Sequence, residues 1–355
     1  MLTITPKELT RALALCKQVT ERRVTIPVLA MIRLTGEGSA LKVQATDLDN
    51  YLTVDAECGC TEPLDVLLRP DVLAHFARHA QGLITIKREG DNVKLTSGDI
   101  SAEFFDVIPV EDWPEMRQPD GATATIPEVD FVELLRHTRP FISTEETRYY
   151  LNGVYLHAPE GKLIGAATDG HRIAEYSTGV NWFDRSHILP TKAAKIIALA
   201  SKKGNGALDV TTDNDVNRCS LRFVAQGWTL TCKTIDGTFP DYSRVFPKFE
   251  AQKIVVTVAQ AAAMALSGKR SPWGSMAVKI KPDDGVMRSD SQPHGYTMTA
   301  PCAGTGAAFG LNLSYLKDVL RRHEVVRFEG DGAGNPFWMR TDNAKLRMVI
   351  MPMRV

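Results

Sequence analysis

The chain has 355 residues, of which 44% are hydrophobic and 24% charged, and its 42 Lys and Arg balance its 42 Asp and Glu. This composition is typical of a globular protein and excludes disordered, collagen-like and coiled-coil chains, and the length suits two or three domains. No apolar run is long enough for a membrane helix, the first residues lack a signal-peptide pattern, and six scattered cysteines predict free thiols. We therefore expect a cytoplasmic protein without a membrane segment, a metal or another cofactor.

Taken in chain order, apolar residues at helical spacing predict six helices, and alternating runs bounded by Gly or Asp predict strands. The helical segments are 6–23, 69–80, 127–139, 191–203, 257–270 and 314–323. The clearest strands are 41–45, 83–87, 163–167, 228–233 and 346–351. Segments 111–123 and 246–252 suit linkers.

Three short motifs recur in the same order with a spacing of about 120 residues, which indicates an internal repeat. They are Ala45-Thr46-Asp47 with Ala167-Thr168-Asp169, Arg69-Pro70 with Leu189-Pro190, and Asp112-Trp113-Pro114 with Thr238-Phe239-Pro240. The pattern begins a third, less regular time near Phe246. We therefore predict an α+β fold of three repeated domains, 1–121, 122–247 and 248–355, each with two helices and several antiparallel strands.

The predicted helices are unusually basic. Their 18 Lys and Arg exceed their seven Asp and Glu by 11, and the rest of the neutral chain carries the opposite excess. One interpretation is that Lys and Arg favour helices and lie on solvated faces. The other is that the helices of all three domains share one face, which would then be a basic strip suited to a phosphate backbone.

Several denser motifs lie in the central domain and at the C terminus. They are Arg148-Tyr149-Tyr150-Leu151-Asn152-Gly153, Ala167-Thr168-Asp169-Gly170-His171-Arg172, Phe239-Pro240-Asp241-Tyr242 and Met351-Pro352-Met353-Arg354. In this order and at these separations they resemble the beta subunits of bacterial DNA polymerase III, the beta sliding clamps. The resemblance is sharp over residues 1–247 and at the last seven residues, and weaker between 250 and 340.

The resemblance implies three DNA-clamp domains per chain and a homodimer that closes into a six-domain ring, with helices lining a hole around duplex DNA. Such a processivity factor has no catalytic site. It tethers the DNA polymerase III alpha subunit, the clamp loader and other clamp-motif proteins. Sequence-independent DNA binding through mobile basic and aromatic side chains is expected at Arg23, Arg148, Tyr149, Tyr150, Lys192 and Lys195.

The resemblance also implies a pocket for partner peptides. Its residues would be Leu151, Thr168, Gly170, His171, Arg172, Ile173, Pro240, Arg244, Val245, Val349, Met351, Pro352 and Met353. Leu, Ile, Val and Pro would form an apolar hole, Met an adaptable surface, and Arg and His a rim that binds peptide carbonyls. Taken singly, each apolar residue of this set is more typical of a core, so the grouping depends on the resemblance.

The dimer contacts are predicted at one edge of the first domain, with Phe104 and Phe105 as apolar contacts. The acidic partner edge expected in the third domain is missing, because residues 295–303 contain no Asp or Glu. Apolar burial and strand pairing should therefore dominate the interface.

Two alternatives stay open at this point. Asp169 beside His171 is compatible with a hydrolase or metalloenzyme in which the carboxylate orients the imidazole. Against this, no nucleophile lies in a recognisable elbow, and the other histidines show no metal-ligand spacing. The second alternative is a repeat protein that binds a ligand unrelated to DNA.

Overall fold

The structure, a computed structural model, describes residues 1–21, 25–105, 107–201, 204, 206–215, 218–266, 277–291 and 296–354. Each predicted helical segment contains an α-helix, shorter than expected. The helices are α1 (Pro6–Cys16), α2 (Pro70–His79), α3 (Glu128–Thr138), α4 (Thr191–Ala200), α5 (Gln260–Ala265) and α6 (Leu313–Leu320). No helix in the described part of the chain has the length and apolarity that crossing a bilayer requires.

Strands make up most of the rest. Those before residue 122 are β1 (Leu2–Ile4), β2 (Ile32–Glu37), β3 (Ala40–Thr46), β4 (Asn50–Glu57), β5 (Gly59–Cys60), β6 (Leu64–Leu68), β7 (Ile84–Glu89), β8 (Asn92–Ser97) and β9 (Ile100–Phe104). Those from 122 to 247 are β10 (Thr123–Pro127), β11 (Gly153–His157), β12 (Lys162–Thr168), β13 (Arg172–Asn181), β14 (His187–Pro190), β15 (Ala207–Thr212), β16 (Ser220–Ala225) and β17 (Trp228–Lys233). The last are β18 (Ile254–Ala259), β19 (Ala277–Lys281), β20 (Val286–Ser291), β21 (Tyr296–Pro301), β22 (Ala303–Thr305), β23 (Phe309–Asn312), β24 (Val325–Gly330), β25 (Phe337–Arg340) and β26 (Leu346–Ile350).

Internal contacts divide the chain into two compact units, residues 1–133 with 180–236 and residues 134–179 with 237–355. The first contains the sheets β5-β1-β7-β8-β9 and β10-β15-β16-β17-β4-β3-β2-β6. The second contains β21-β20-β19-β23 and the strand order β11-β12-β13-β26-β25-β24-β18-β22. Backbone pairing crosses both predicted domain boundaries, because β17 pairs with β4 and β13 pairs with β26. The division into three domains remains a prediction.

Helix α1 illustrates why the helices are shorter than predicted. It begins at Pro6 after Thr5, whose hydroxyl accepts a hydrogen bond from the Glu8 amide at 3.2 Å, as an N-cap does. Beyond Cys16 the chain continues in i→i−3 hydrogen bonds, such as that from Val19 N–H to the Cys16 carbonyl. A 3₁₀-like turn thus ends the helix before the predicted boundary, and residues 22 and 23 of the predicted helix lie outside the described residues.

The expected start of the fifth helix was wrong for another reason. Residues Ile254–Ala259 form strand β18, which pairs with β24 on one side and β22 on the other. Its alternating burial is that of a strand, and its β-branched Val and Ile residues favour a pleated sheet. Only Gln260–Ala265 is left for α5.

The predicted linker at 111–123 is anchored at its start. Trp113 is buried in a cluster with Val28, Leu29 and Leu67, against which Ile108 and Val110 also pack. Phe239, its counterpart in the repeat, is buried too. These two repeat anchors are therefore core residues.

In the described part of the chain, most of the positive charge assigned to the helical segments lies beside the helices or within them without a clear excess over the acids. The described helices contain seven Lys and Arg against six Asp and Glu. Five further bases flank them: Lys17, Arg69, Arg139, Arg321 and Arg322. The other six, Arg22, Arg23, Lys202, Lys203, Lys269 and Arg270, lie outside the described residues. For the described helices the expectation of a strongly basic helix was therefore wrong. Four of the five flanking bases follow a helix C terminus, where a basic side chain interacts favourably with the helix dipole, and Arg69 is the N-cap of α2.

Candidate functional site

The Ala-Thr-Asp motif of the central domain forms a tight turn between β12 and β13. The Asp169 carboxylate accepts hydrogen bonds from the His171 and Arg172 amides at 2.9 and 3.1 Å. The Thr168 hydroxyl accepts one from the Gly170 amide at 3.1 Å and donates one to the Arg172 carbonyl at 2.8 Å. Gly170 has φ +87°, a conformation that favours glycine. The turn exposes the His171 side chain at its tip.

We expected Arg172 at the rim of the peptide pocket, but the structure buries it inside this unit. Its guanidinium donates to Asp169 at 3.0 Å, to Asp318 at 3.2 Å and to the Pro140 carbonyl at 2.6 Å. It also lies over the rings of Tyr315 and Phe141, at 4.0 and 4.9 Å from their centroids. A buried charge needs such partners, so Arg172 joins the turn to α6.

The C-terminal tail runs beside this turn. Strand β26 pairs with β13, so that Val349 lies opposite Ile173. Beyond β26, the Met351 amide donates to the His171 carbonyl at 2.8 Å, and the Met353 amide donates to the Gly310 carbonyl at 2.8 Å. Met351 is exposed, and Pro352 and Met353 are partly buried. The structure therefore brings the predicted tail residues next to the predicted turn.

The other predicted pocket residues fall into two groups. Leu151, Ile173 and Val349 are buried, so they support the surface from beneath. Pro240, Arg244 and Val245 are exposed on the segment 238–246. Arg244 and Val245 line a cavity of about 390 Å³. The sequence analysis did not predict its other lining residues, which are Phe246, Pro247, Lys248, Phe249, Asp331, Asn335 and Pro336.

Pro240 lines a separate cavity of about 670 Å³ in the same unit. At its wall the Tyr242 hydroxyl lies 2.7 Å from His157 Nε2, and Glu175 pairs with Arg347 at 2.9 Å. Burial, and then the Glu175 charge, raise the pKa of Tyr242, whereas burial lowers the pKa of His157. Both shifts favour the uncharged forms of the two side chains, and their hydrogen bond holds the segment that carries Pro240.

The Asp169 and His171 pair lacks the geometry of a catalytic dyad. The described contacts of the Asp169 carboxylate go to two backbone amides, to Arg172 and to the Tyr315 hydroxyl, not to the His171 imidazole. Among the described residues there is also no group of three or more His, Cys, Asp or Glu able to hold a metal ion.

The predicted DNA residues have different surroundings. Tyr149 is exposed, its ring lies edge-on to that of Tyr150, and Arg148 pairs with Glu145 at 2.7 Å. Lys195 is exposed and contacts no described hydrogen-bonding or charged group.

Lys192 is not the mobile base that we expected. Its ammonium binds Asp47 at 2.6 Å and donates to the Val19 carbonyl at 2.9 Å. Arg23 lies outside the described residues.

The predicted dimer edge lies at the end of a sheet. Strand β9 is the last strand of its sheet and pairs with β8, so its other side has no partner within the described chain. Phe104, its last residue, is partly buried, and Phe105 is 67% exposed. In the second unit, β21 is likewise the last strand of its sheet. Tyr296 is exposed there, and the strand Tyr296–Pro301 carries no charge.

Comparison with known proteins gives one consistent answer. Family models described as the N-terminal and central domains of the DNA polymerase III beta subunit match residues 1–117 and 125–241. A beta sliding clamp of Caulobacter vibrioides is 32% identical over 385 residues, covering all of both chains. One of Pseudomonas aeruginosa is 28% identical over 371 residues, covering 99% of each.

Solved structures agree with the sequence comparisons. A sliding clamp of Bartonella birtlesii, bound to griselimycin, superposes with a TM-score of 0.88 at 26% identity, covering 100% of this chain and 99% of that one. A Caulobacter crescentus clamp gives a TM-score of 0.85 at 28% identity, covering 100% and 98%.

Fold and sequence thus define the class as a sliding clamp, a processivity factor without catalytic activity of its own. The chain belongs to the family of beta sliding clamps, the beta subunits of DNA polymerase III. These findings give no support to a hydrolase, a metalloenzyme or a ligand-binding protein unrelated to DNA.

Proposed function

We propose that two copies of this chain close into a ring around duplex DNA and tether the replicative polymerase to it. Each copy would contribute the three domains 1–121, 122–247 and 248–355. Full-length similarity to beta sliding clamps is the observation that carries this proposal. Replication takes place on the bacterial chromosome, so the protein would act in the cytoplasm.

The ring would close by pairing β9 of one copy with β21 of the other, since each is the last strand of its sheet in the described part of the chain. Phe104 and Phe105 would supply apolar contact, and the uncharged β21 makes ion pairs a minor contribution. Light scattering at micromolar concentration should give twice the mass of one 39.1 kDa chain. Phe105→Asp should lower that mass while leaving the circular dichroism spectrum unchanged. A single-chain mass for the unmodified protein would contradict the ring.

DNA would be held mainly by enclosure, with Arg23, Arg148, Tyr149, Tyr150, Lys192 and Lys195 near its backbone. A protein that slides cannot keep one register tightly, so binding to short linear duplexes should be weak, independent of sequence and lost at moderate salt. Retention on nicked circular DNA should survive that salt concentration, because a closed ring is linked to the circle. Linearising the circle should release the protein, whereas equal retention on both forms would contradict enclosure.

Partner proteins would dock on the surface built from the turn at 168–173, the segment 240–245 and the tail at 349–353. The polymerase alpha subunit, the clamp loader and other clamp-motif proteins would present short peptides with Gln and apolar residues. Such peptides bury little area, so micromolar affinity is expected, which corresponds to about 8 kcal/mol.

Two truncations test this docking surface. Deleting residues 351–355 removes Met351 and Met353 and should abolish peptide binding while leaving the dimer intact. The matched control deletes only residues 354 and 355, which keeps the Met353 amide on the Gly310 carbonyl. Peptide affinity that is equal in both truncations would contradict this surface.

A further inference from the structure

Helix α2 carries two histidines one helical turn apart, and neither is among the residues assigned above to DNA, partner or dimer contacts. His75 and His79 are both exposed, on the side of α2 opposite its buried residues Leu73, Phe76 and Ala77. Residues at i and i+4 are neighbours on a helix surface. The two imidazole rings accordingly lie 4.5 Å apart between centroids, with their planes inclined by 41°.

One hydrogen bond sets the tautomer of His79. Its Nδ1 lies 2.9 Å from the His75 carbonyl oxygen. A carbonyl oxygen only accepts, so the proton is on Nδ1 and the lone pair of the neutral ring is on Nε2. Histidines that bind metals characteristically donate their other ring N–H in this way, which orients the ring and makes the ligating nitrogen more basic.

We propose that His75 and His79 form a binding site for a divalent transition-metal cation, of the kind that imidazole prefers, such as Ni²⁺, Cu²⁺ or Zn²⁺. A metal that binds two imidazoles at about 2.0–2.1 Å holds its two nitrogens roughly 3 Å apart. The ring centroids lie 4.5 Å apart, and with His79 held by its hydrogen bond the site requires a rotation of the His75 side chain that brings one of its nitrogens to this spacing from His79 Nε2. The same i, i+4 arrangement supplies two of the zinc ligands in helical metalloprotease motifs.

The chemistry of the surroundings narrows the choice of ion. Two imidazole nitrogens do not suit Mg²⁺ or Ca²⁺, which require oxygen ligands. Asp71, one further turn towards the N terminus, is held by Arg69 at 2.9 Å. The site therefore has two protein ligands, with water in the remaining positions, so its metal should exchange readily with solvent. Among Ni²⁺, Cu²⁺ and Zn²⁺, the Irving–Williams order predicts the highest affinity for Cu²⁺.

Calorimetric titration of the tag-free, full-length protein with Ni²⁺ tests the proposal. One Ni²⁺ per chain should bind, and His75→Ala or His79→Ala should each weaken binding at least tenfold. Both substitutions are at exposed helix positions where alanine is a good helix former, so circular dichroism should show an unchanged fold. The matched control is His171→Ala, which removes an exposed histidine elsewhere and should leave the affinity unchanged.

The cysteine pair Cys58 and Cys60 is the competing thiol site. Replacing both with Ser should not alter Ni²⁺ binding, whereas lowering the pH should release the metal because protonated imidazole cannot ligate. The proposal is overturned if no Ni²⁺ binds, if either histidine variant titrates like the parent, or if the cysteine substitutions abolish binding.

Discussion

The turns at residues 45–50 and 167–172 repeat the same backbone hydrogen bonds in different surroundings. Asp47 accepts from the Asp49 and Asn50 amides, as Asp169 accepts from those of His171 and Arg172. In both turns the threonine hydroxyl accepts from the amide two residues on. The residue after the aspartate has positive φ in both, 73° at Leu48 and 87° at Gly170.

The two turns differ in the cation that meets the aspartate. Asp47 pairs with Lys192, a residue of α4 whose side chain is 33% exposed. Asp169 pairs with Arg172 of the same turn. The Arg172 side chain is 6% exposed and also pairs with Asp318. An identical local motif therefore forms an ion pair with a partly exposed lysine in one unit and takes part in a network around a buried arginine in the other. Three predictions test how the two turns and their surroundings differ.

Removing the buried cation should have the largest effect. Arg172→Met takes the guanidinium from Asp169, Asp318 and the Pro140 carbonyl, and we expect a loss of about 3 kcal/mol in the free energy of unfolding. The matched variant Lys192→Met should lose about 1–2 kcal/mol, because the Lys192 site is partly exposed and water can replace the ammonium at Asp47. Shifts of the urea midpoint measure both losses. Equal losses would mean that burial of the cation is irrelevant to the stability of these turns.

Exchanging the residues at positive φ should have a smaller effect. Gly170→Ala places a Cβ in a left-handed conformation, 2.6 Å from an Arg148 nitrogen, and should cost about 1–2 kcal/mol. Leu48→Gly relieves a similar strain but makes the unfolded chain more flexible, so its stability should stay within about 1 kcal/mol of the parent. Thermal unfolding of both variants provides the measurement. Destabilisation by Leu48→Gly as large as that by Gly170→Ala would show that the Leu48 side chain, not the backbone, stabilises the first turn.

The smallest expected effect concerns DNA. Lys195 has no described ionic partner, so Lys195→Ala should reduce the slope of log affinity against log salt by about one. Lys192 already pairs with Asp47, so Lys192→Ala should change that slope much less. Titrating a short duplex at several salt concentrations measures both slopes. A larger change for Lys192 would mean that the lysine leaves Asp47 when DNA binds.

Much of the fold was predictable because its signals are local. The capping residue Thr5 predicted where α1 begins, and the spacing of Leu9 and Leu13 predicted which face of the helix is buried. Its end was missed, because the 3₁₀-like turn after Cys16 has the same apolar spacing as a helix. The strand β18 was missed because its apolar run becomes recognisable as a strand only when β24 and β22 pair with it.

For the candidate site, sequence motifs indicated the turn and the tail but not the groups between them. Nothing in the sequence connects Tyr242 with His157, or Asp331 with Arg244, although each pair lines one cavity. The spacing of His75 and His79 was visible in the sequence. Only the hydrogen bond from His79 to the His75 carbonyl identified which nitrogen is available to a metal.

The sequence by itself determined the repeated turn, because each of its hydrogen bonds joins residues two to four positions apart. It also indicated the family, because the motifs that carry the resemblance occur in the expected order and at the expected separations along the chain. Only the tertiary structure decided which charge each aspartate meets and whether that charge is buried. Arg172 and Asp318 are 146 residues apart, and no local pattern encodes a contact that forms only when β13 and α6 pack in the same unit.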